Sequence, residues 1–161
     1  MKTNIVRTVW VAALAASVAV VALAGGRDDR CSDPRVAGTW GYSESGTLYH
    51  PVAGPLSYAS VGSYTLDHHG NLSGTRTASM GGTIAVARIE GTSTVDADCT
   101  GTLTLSFYDP TTGNLLNTAT KFIVYVDNAT AARSIITSIL LPDGTTHLPA
   151  VLVTDARKLF P

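Results

Sequence analysis

Basic side chains are few in this sequence: 11 Lys and Arg stand against 12 Asp and Glu, and charged residues make up only 14% of the chain. They are scattered, which leaves no cationic patch for nucleic acid or anionic lipid, since both need clustered Lys and Arg. Glutamate occurs only at Glu44 and Glu90. With Lys and Glu this rare, the chain lacks residues that favour surface helices. Cysteine is confined to Cys31 and Cys99, without the paired spacing of a zinc site. His68 and His69 are adjacent and on a strand would point to opposite faces, a poor chelate, and His50 and His147 are remote in sequence. No nucleophile elbow, HExxH helix, Walker loop or dinucleotide fingerprint is present. No metal or cofactor is therefore indicated. Catalysis stays open, with the balance toward a non-catalytic protein.

One long apolar run stands out. Lys2 and Arg7 precede Val9 to Ala24, which ends in the small-x-small sequence Ala22-Leu23-Ala24 and is followed by Gly25-Gly26 and Arg27-Asp28-Asp29-Arg30. This is the pattern of a cleavable secretory signal helix. An uncleaved anchor is the alternative, since about 20 apolar residues span a bilayer, but this run is somewhat short and rich in alanine. A lipoprotein would carry cysteine directly after the cleavage site, where Gly25 stands. The expected organisation is a signal peptide at 1–24, an N-terminal segment at 25–35 and one β domain at 36–161. The mature chain would be secreted or periplasmic, with no stable membrane insertion. Loss of Lys2 and Arg7 leaves 9 basic side chains against 12 acidic ones. An oxidising compartment favours joining Cys31 to Cys99. Closing so long a loop contributes about 4–5 kcal/mol on the chain-entropy model.

Beyond the signal, the chain is rich in Thr, Ser, Val and Gly and broken by turn residues at short intervals, which suits strands. Alternation predicts strands over 36–46, 57–67, 71–80, 83–89, 92–97, 102–108, 119–126, 132–141 and 147–154, about eight or nine in all. His68 to Asn71, Gly81-Gly82, Asp98 to Gly101, Asp109 to Asn114, Asp127-Asn128 and Asp143-Gly144 supply the turns. Gly91 is expected to separate two strands. Ala132, Ile135, Ile136, Ile139 and Leu140 also fit a helical stripe, but the β-branched density and flanking turns favour a strand.

Short strands joined in order describe a meander. A meander hides its edges best by closing, so the expected fold is an all-β, antiparallel up-and-down barrel, with a two-sheet sandwich as the alternative. The later strands are apolar on both faces, as with Phe122, Val124 and Val126 against Ile123 and Tyr125. The outer apolar face would be an exposed patch or would be covered in a homo-oligomer.

Gly38-Thr39-Trp40 at the start of the first strand resembles the Gly-x-Trp signature of lipocalins and the wider calycin barrels. That resemblance implies that Trp40 closes the barrel bottom and that a basic residue near the C-terminus, Arg157 or its neighbour Lys158, packs on it. Thr47 to Leu56, with Pro51, Gly54 and Pro55, resembles the family's long first loop over the barrel mouth. The chain has no room for the family's helix after the last strand and lacks its second, Thr-Asp signature. It is in those respects more similar to an outlying calycin or to the allene-oxide-cyclase-like barrels. A cup for a small apolar molecule is what the resemblance implies.

Arg76 shares a face with Leu72, Ala78 and Met80. If that face is interior, its guanidinium needs a carboxylate or a ligand anion, and Glu44 or Glu90 would be the partner. If the Ser and Thr face is interior instead, Arg76 is solvated. Tyr64 and Tyr125 offer amphipathic surface for orienting an apolar ligand. The expected binding set is thus Arg76, Tyr64, Tyr125, Glu90 and Glu44. The leading expectation is a non-catalytic exported barrel that holds a small hydrophobic or amphipathic ligand. A barrel cyclase or isomerase and an exported structural or assembly protein are the alternatives.

Overall fold

The computed structural model describes residues 31–160. The expected signal at 1–24 lies outside that range. Within it, a one-turn helix α1 (Asp33–Val36) leads into eight strands: β1 (Gly38–His50), β2 (Gly54–Leu66), β3 (Asn71–Met80), β4 (Thr83–Val95), β5 (Thr100–Tyr108), β6 (Leu115–Val126), β7 (Ala131–Leu140) and β8 (Ala150–Phe160). Each strand pairs antiparallel with the next, and β8 returns to pair with β1, so the sheet closes into a barrel. Closure leaves no backbone edge unpaired along the ring, which a sandwich would not achieve.

Period-2 alternation decides which face is inside. Leu103, Leu105 and Phe107 of β5, Ile123 and Tyr125 of β6, and Leu152 and Ala156 of β8 are buried. Thr75 and Thr77 of β3 face outward, while Leu72 and Ala78 of the same strand are buried. The apolar face of β3, with Arg76 on it, is therefore the interior one.

Two local expectations are corrected. Gly91 does not break the chain, and β4 runs through it, paired with Leu72 on one side and Leu105 on the other. A Cβ there would sit 2.2 Å from the Thr104 carbonyl oxygen, so glycine permits a close strand approach at a strongly coiled point. Thr47 to Leu56 is not a long loop. β1 and β2 stay paired up to His50 and Gly54, so this segment is a hairpin with a tight turn rather than a lid over the mouth. β7 is a strand, as expected, but its register slips at Thr137, whose hydroxyl donates to the Thr120 carbonyl at 3.0 Å. This bulge moves the inward positions from Ala132 and Ile136 to Ile139, which explains why the strand carried a helix-like stripe.

One end of the barrel is plugged. Trp40 is fully buried, its indole N–H donates to the Val36 carbonyl at 2.9 Å, and its ring stacks on Tyr64 at 6.3 Å and meets the edge of Tyr125 at 5.9 Å. The disulfide Cys31–Cys99 ties the segment before α1 to the β4–β5 turn at this same end. The basic residue over Trp40 is Lys158, with its Nζ 5.6 Å from the ring centroid and 2.8 Å from the Arg35 carbonyl. Arg157 is exposed instead, because the parity set by Leu152, Thr154 and Ala156 turns it outward. On the outer wall, Phe122, Ile135 and Val153 lie side by side across β6, β7 and β8, and all three are exposed.

Candidate functional site

The barrel interior is divided by a polar waist. Below it, toward Trp40, Tyr64, Leu72, Ile89, Leu103 and Ile123 leave a void of only about 20 Å³. That is room for about one water molecule. Above it lies a cavity of about 340 Å³, within the range of small-molecule sites. Its apolar wall includes Leu48, Ala78, Phe107, Ile136, Ile139 and Leu152. His50 at the end of β1, Pro51 of the β1–β2 turn, and Met80 and Thr83 flanking the β3–β4 turn stand at its rim. The mouth is thus at the end opposite the plug.

The waist is an ion pair. Lys121 of β6 and Glu44 of β1 are joined by a hydrogen bond, with side-chain exposures of 5% and 4%. Thr154 of β8 accepts from Lys121 Nζ at 3.0 Å and donates to the same Glu44 oxygen at 3.1 Å. The Ser60 hydroxyl donates to the other Glu44 oxygen at 3.4 Å. Both carboxylate oxygens and two of the three ammonium protons are thereby hydrogen-bonded, which lowers the cost of burying the charges. Burial lowers the Lys121 pKa, against the opposing pull of Glu44. Burial also raises the phenols of Tyr42 and Tyr58, with the Glu44 charge adding to both. The tyrosines near the waist therefore stay protonated.

Arg76 faces the cup, half-buried. Its guanidinium lies 3.6 Å from the Phe107 ring centroid and donates to the Tyr58 hydroxyl at 3.1 Å. The expected carboxylate partner is not found. Among the described residues the ion pairs are Arg88–Glu90, Lys121–Glu44 and Arg133–Asp155, so Glu44 is taken by Lys121. Glu90 sits on the outer wall with Arg88, because Ala87 and Ile89 occupy the inward positions of β4. A ring face and a phenol oxygen only partly compensate a guanidinium. Asn117, also on the cup wall, has a buried Oδ1 with no hydrogen-bond partner.

Of the residues singled out from sequence, Arg76 and Glu44 border the cup, and Tyr64 lines the small void below the waist. Tyr125 belongs to the plug, where its hydroxyl meets Ser93 at 3.4 Å. Lys121 was not anticipated. Its signal was nonetheless present: it shares parity with Ile123 and Tyr125 and is the one charged residue of β6.

No family model matches the chain, and no curated protein does. Among solved structures, the chain is similar to that of EF1p2_mFAP2b bound to DFHBI, at a TM-score of 0.51 and 14% identity. The match covers 79% of this chain and 99% of that one. At that identity the likeness is one of fold.

Proposed function

We propose that the chain is an exported, non-catalytic barrel that holds one small apolar or amphipathic molecule in the cup, with the molecule's polar end toward Arg76 and Tyr58. The observation that carries this reading is an apolar cavity of about 340 Å³ whose one interior cation outside the waist has no carboxylate partner among the described residues. A ligand oxygen would complete the hydrogen bonding of Arg76, and a ligand donor would serve Asn117. The similar barrel EF1p2_mFAP2b is bound to DFHBI, which supports a ligand in a barrel of this shape. The signal-like sequence at 1–24 supports export, and a disulfide is at home in an oxidising compartment.

Native mass spectrometry of the gently purified protein, with the same sample after denaturing extraction, tests the reading. A bound organic molecule released on denaturation is expected. A chain that is ligand-free and takes up no amphipath when offered a panel would end it.

A second reading is assembly through the outer wall, favoured by the exposed row Phe122, Ile135 and Val153. Light scattering at high concentration separates the two, since binding alone requires no self-association.

A further inference from the structure

The proposed ligand reading leaves the waist unexplained. An ion pair at this depth adds little over apolar side chains of equal volume, and such replacements are often stabilising. Elsewhere the interior is filled mainly by Leu, Ile, Ala and aromatic side chains. Lys121, moreover, lines both the cup above the waist and the void below it, so its amine stands at the inner end of the ligand space.

We propose that Lys121 is a covalent attachment point for the carbonyl group of an aldehyde or ketone carried on an apolar chain, held as a protonated imine beside Glu44. The inference rests on the cup being the ligand site and adds the chemical class of the ligand. Glu44, hydrogen-bonded to the amine, takes one proton from the Lys121 ammonium and leaves a neutral nucleophile. Nζ attacks the carbonyl carbon, the C=O π bond breaks, and a proton moves from nitrogen to oxygen to give a carbinolamine. Glu44 returns its proton to the hydroxyl, water leaves, and the nitrogen lone pair forms the C=N bond. The sum is ammonium plus carbonyl giving protonated imine plus one water, with no oxidant or reductant required.

The surroundings suit this product. A protonated imine beside ionised Glu44 carries the same net charge as the resting pair, so no new charge is buried. Thr154 and Ser60 continue to hold the carboxylate through its own oxygens. The void below admits about one water molecule, which limits hydrolysis from the plugged side. Burial and the nearby Arg76 charge both lower the Lys121 pKa, which eases the first proton transfer. Lys158, the other lysine of the described residues, lies at the plug with its ammonium on the Arg35 carbonyl and serves as an internal control.

The test is to incubate the full chain with octanal and sodium cyanoborohydride near neutral pH, then to measure intact mass and map the alkylated lysine. In parallel, 1-octanol, which cannot form an imine, is tested for displacement of a fluorescent amphipath from the cup. One octyl group on Lys121, with Lys158 far less labelled, is expected. Lys121→Arg should abolish that label, and Glu44→Gln should slow it at least about tenfold. Mapping on the unmodified sequence decides the matter even if a variant fails to fold. If 1-octanol competes but octanal labels Lys121 no faster than Lys158, the covalent inference is wrong and the cup reading stands. If neither occurs, both fall. If octanal labels Lys121 while 1-octanol does not compete, attachment holds and reversible occupancy of the cup is wrong.

Discussion

Lys158 Nζ lies 5.6 Å from the centre of the Trp40 ring and donates to the Arg35 carbonyl at 2.8 Å, so one side chain of the last strand clamps both the indole and the helix that covers it. A partly screened cation over an aromatic face and one hydrogen bond together are worth about 1–2 kcal/mol. Lys158→Met should therefore lower the unfolding free energy by about that amount. Arg157→Met, on the exposed side of the same strand, should change it by less than about 0.5 kcal/mol. Urea melts of the two variants side by side give the comparison, and equal effects would refute the clamp.

This pair also shows how much of the fold could be read from sequence. The resemblance carried by Gly38-Thr39-Trp40 anticipated a basic residue on Trp40, and parity counted forward from Thr154 and Ala156 would have selected Lys158 over Arg157. The strand meander and the Cys31–Cys99 bond were legible because alternation and turn residues are local and because two cysteines allow one pairing. Gly91 misled because a glycine that breaks a strand and one that lets two strands approach look alike in one dimension. β7 was legible as a strand, but its bulge at Thr137 was not, because one residue added to a period of two imitates a helical stripe. The pairing of Glu44 with Lys121 spans 77 residues of sequence and depends on closure, which no local pattern encodes. For Arg76 the face stayed open, because alternation does not say which side of a strand is inside, and Glu44, one of the two carboxylates considered for it, is engaged by Lys121.

The waist should respond to single and double substitutions in opposite ways. Glu44→Gln or Lys121→Met leaves the other group buried and uncompensated, at a cost of about 3–5 kcal/mol. The double variant removes both charges and should recover most of that loss, or exceed the starting stability. A double-mutant cycle by chemical denaturation measures the coupling, and simple additivity of the two losses would contradict a buried pair.

Reduction of Cys31–Cys99 should destabilise the chain. The bridge closes a span of 68 residues, which on the entropy model is worth about 4 kcal/mol. Because Cys31 also anchors the segment leading into α1, reduction should shift the emission of buried Trp40 to longer wavelength before the barrel unfolds. Coincident loss of both signals would mean that the plug does not open by itself.

Acid should weaken the fold through its turns. Asp67, Asp98, Asp109 and Asp143 each accept hydrogen bonds from turn backbone or side chains, and these bonds hold their pKa values down, that of Asp143 at about 2. A carboxyl group that is more acidic in the folded state stabilises it above the unfolded pKa of about 3.9 and loses that contribution as pH falls through the folded value. The urea midpoint should thus decline between about pH 4 and pH 2. Asp143→Asn, which keeps a side-chain acceptor, should reduce the decline. A midpoint that is flat or rises over this range would show the turns do not act this way.

The central claim is that the apolar space above the waist is a ligand site, and the most direct test is fluorescence titration with an anionic amphipath such as 1-anilinonaphthalene-8-sulfonate, comparing the unmodified chain with Ala78→Trp and Arg76→Met. Ala78 is buried on the cup wall, so tryptophan there fills the space, and Arg76→Met removes its cation. One saturable site, abolished by Ala78→Trp and weakened about tenfold or more by Arg76→Met, is the predicted result. Absence of saturable binding, or binding undiminished by Ala78→Trp, would contradict it.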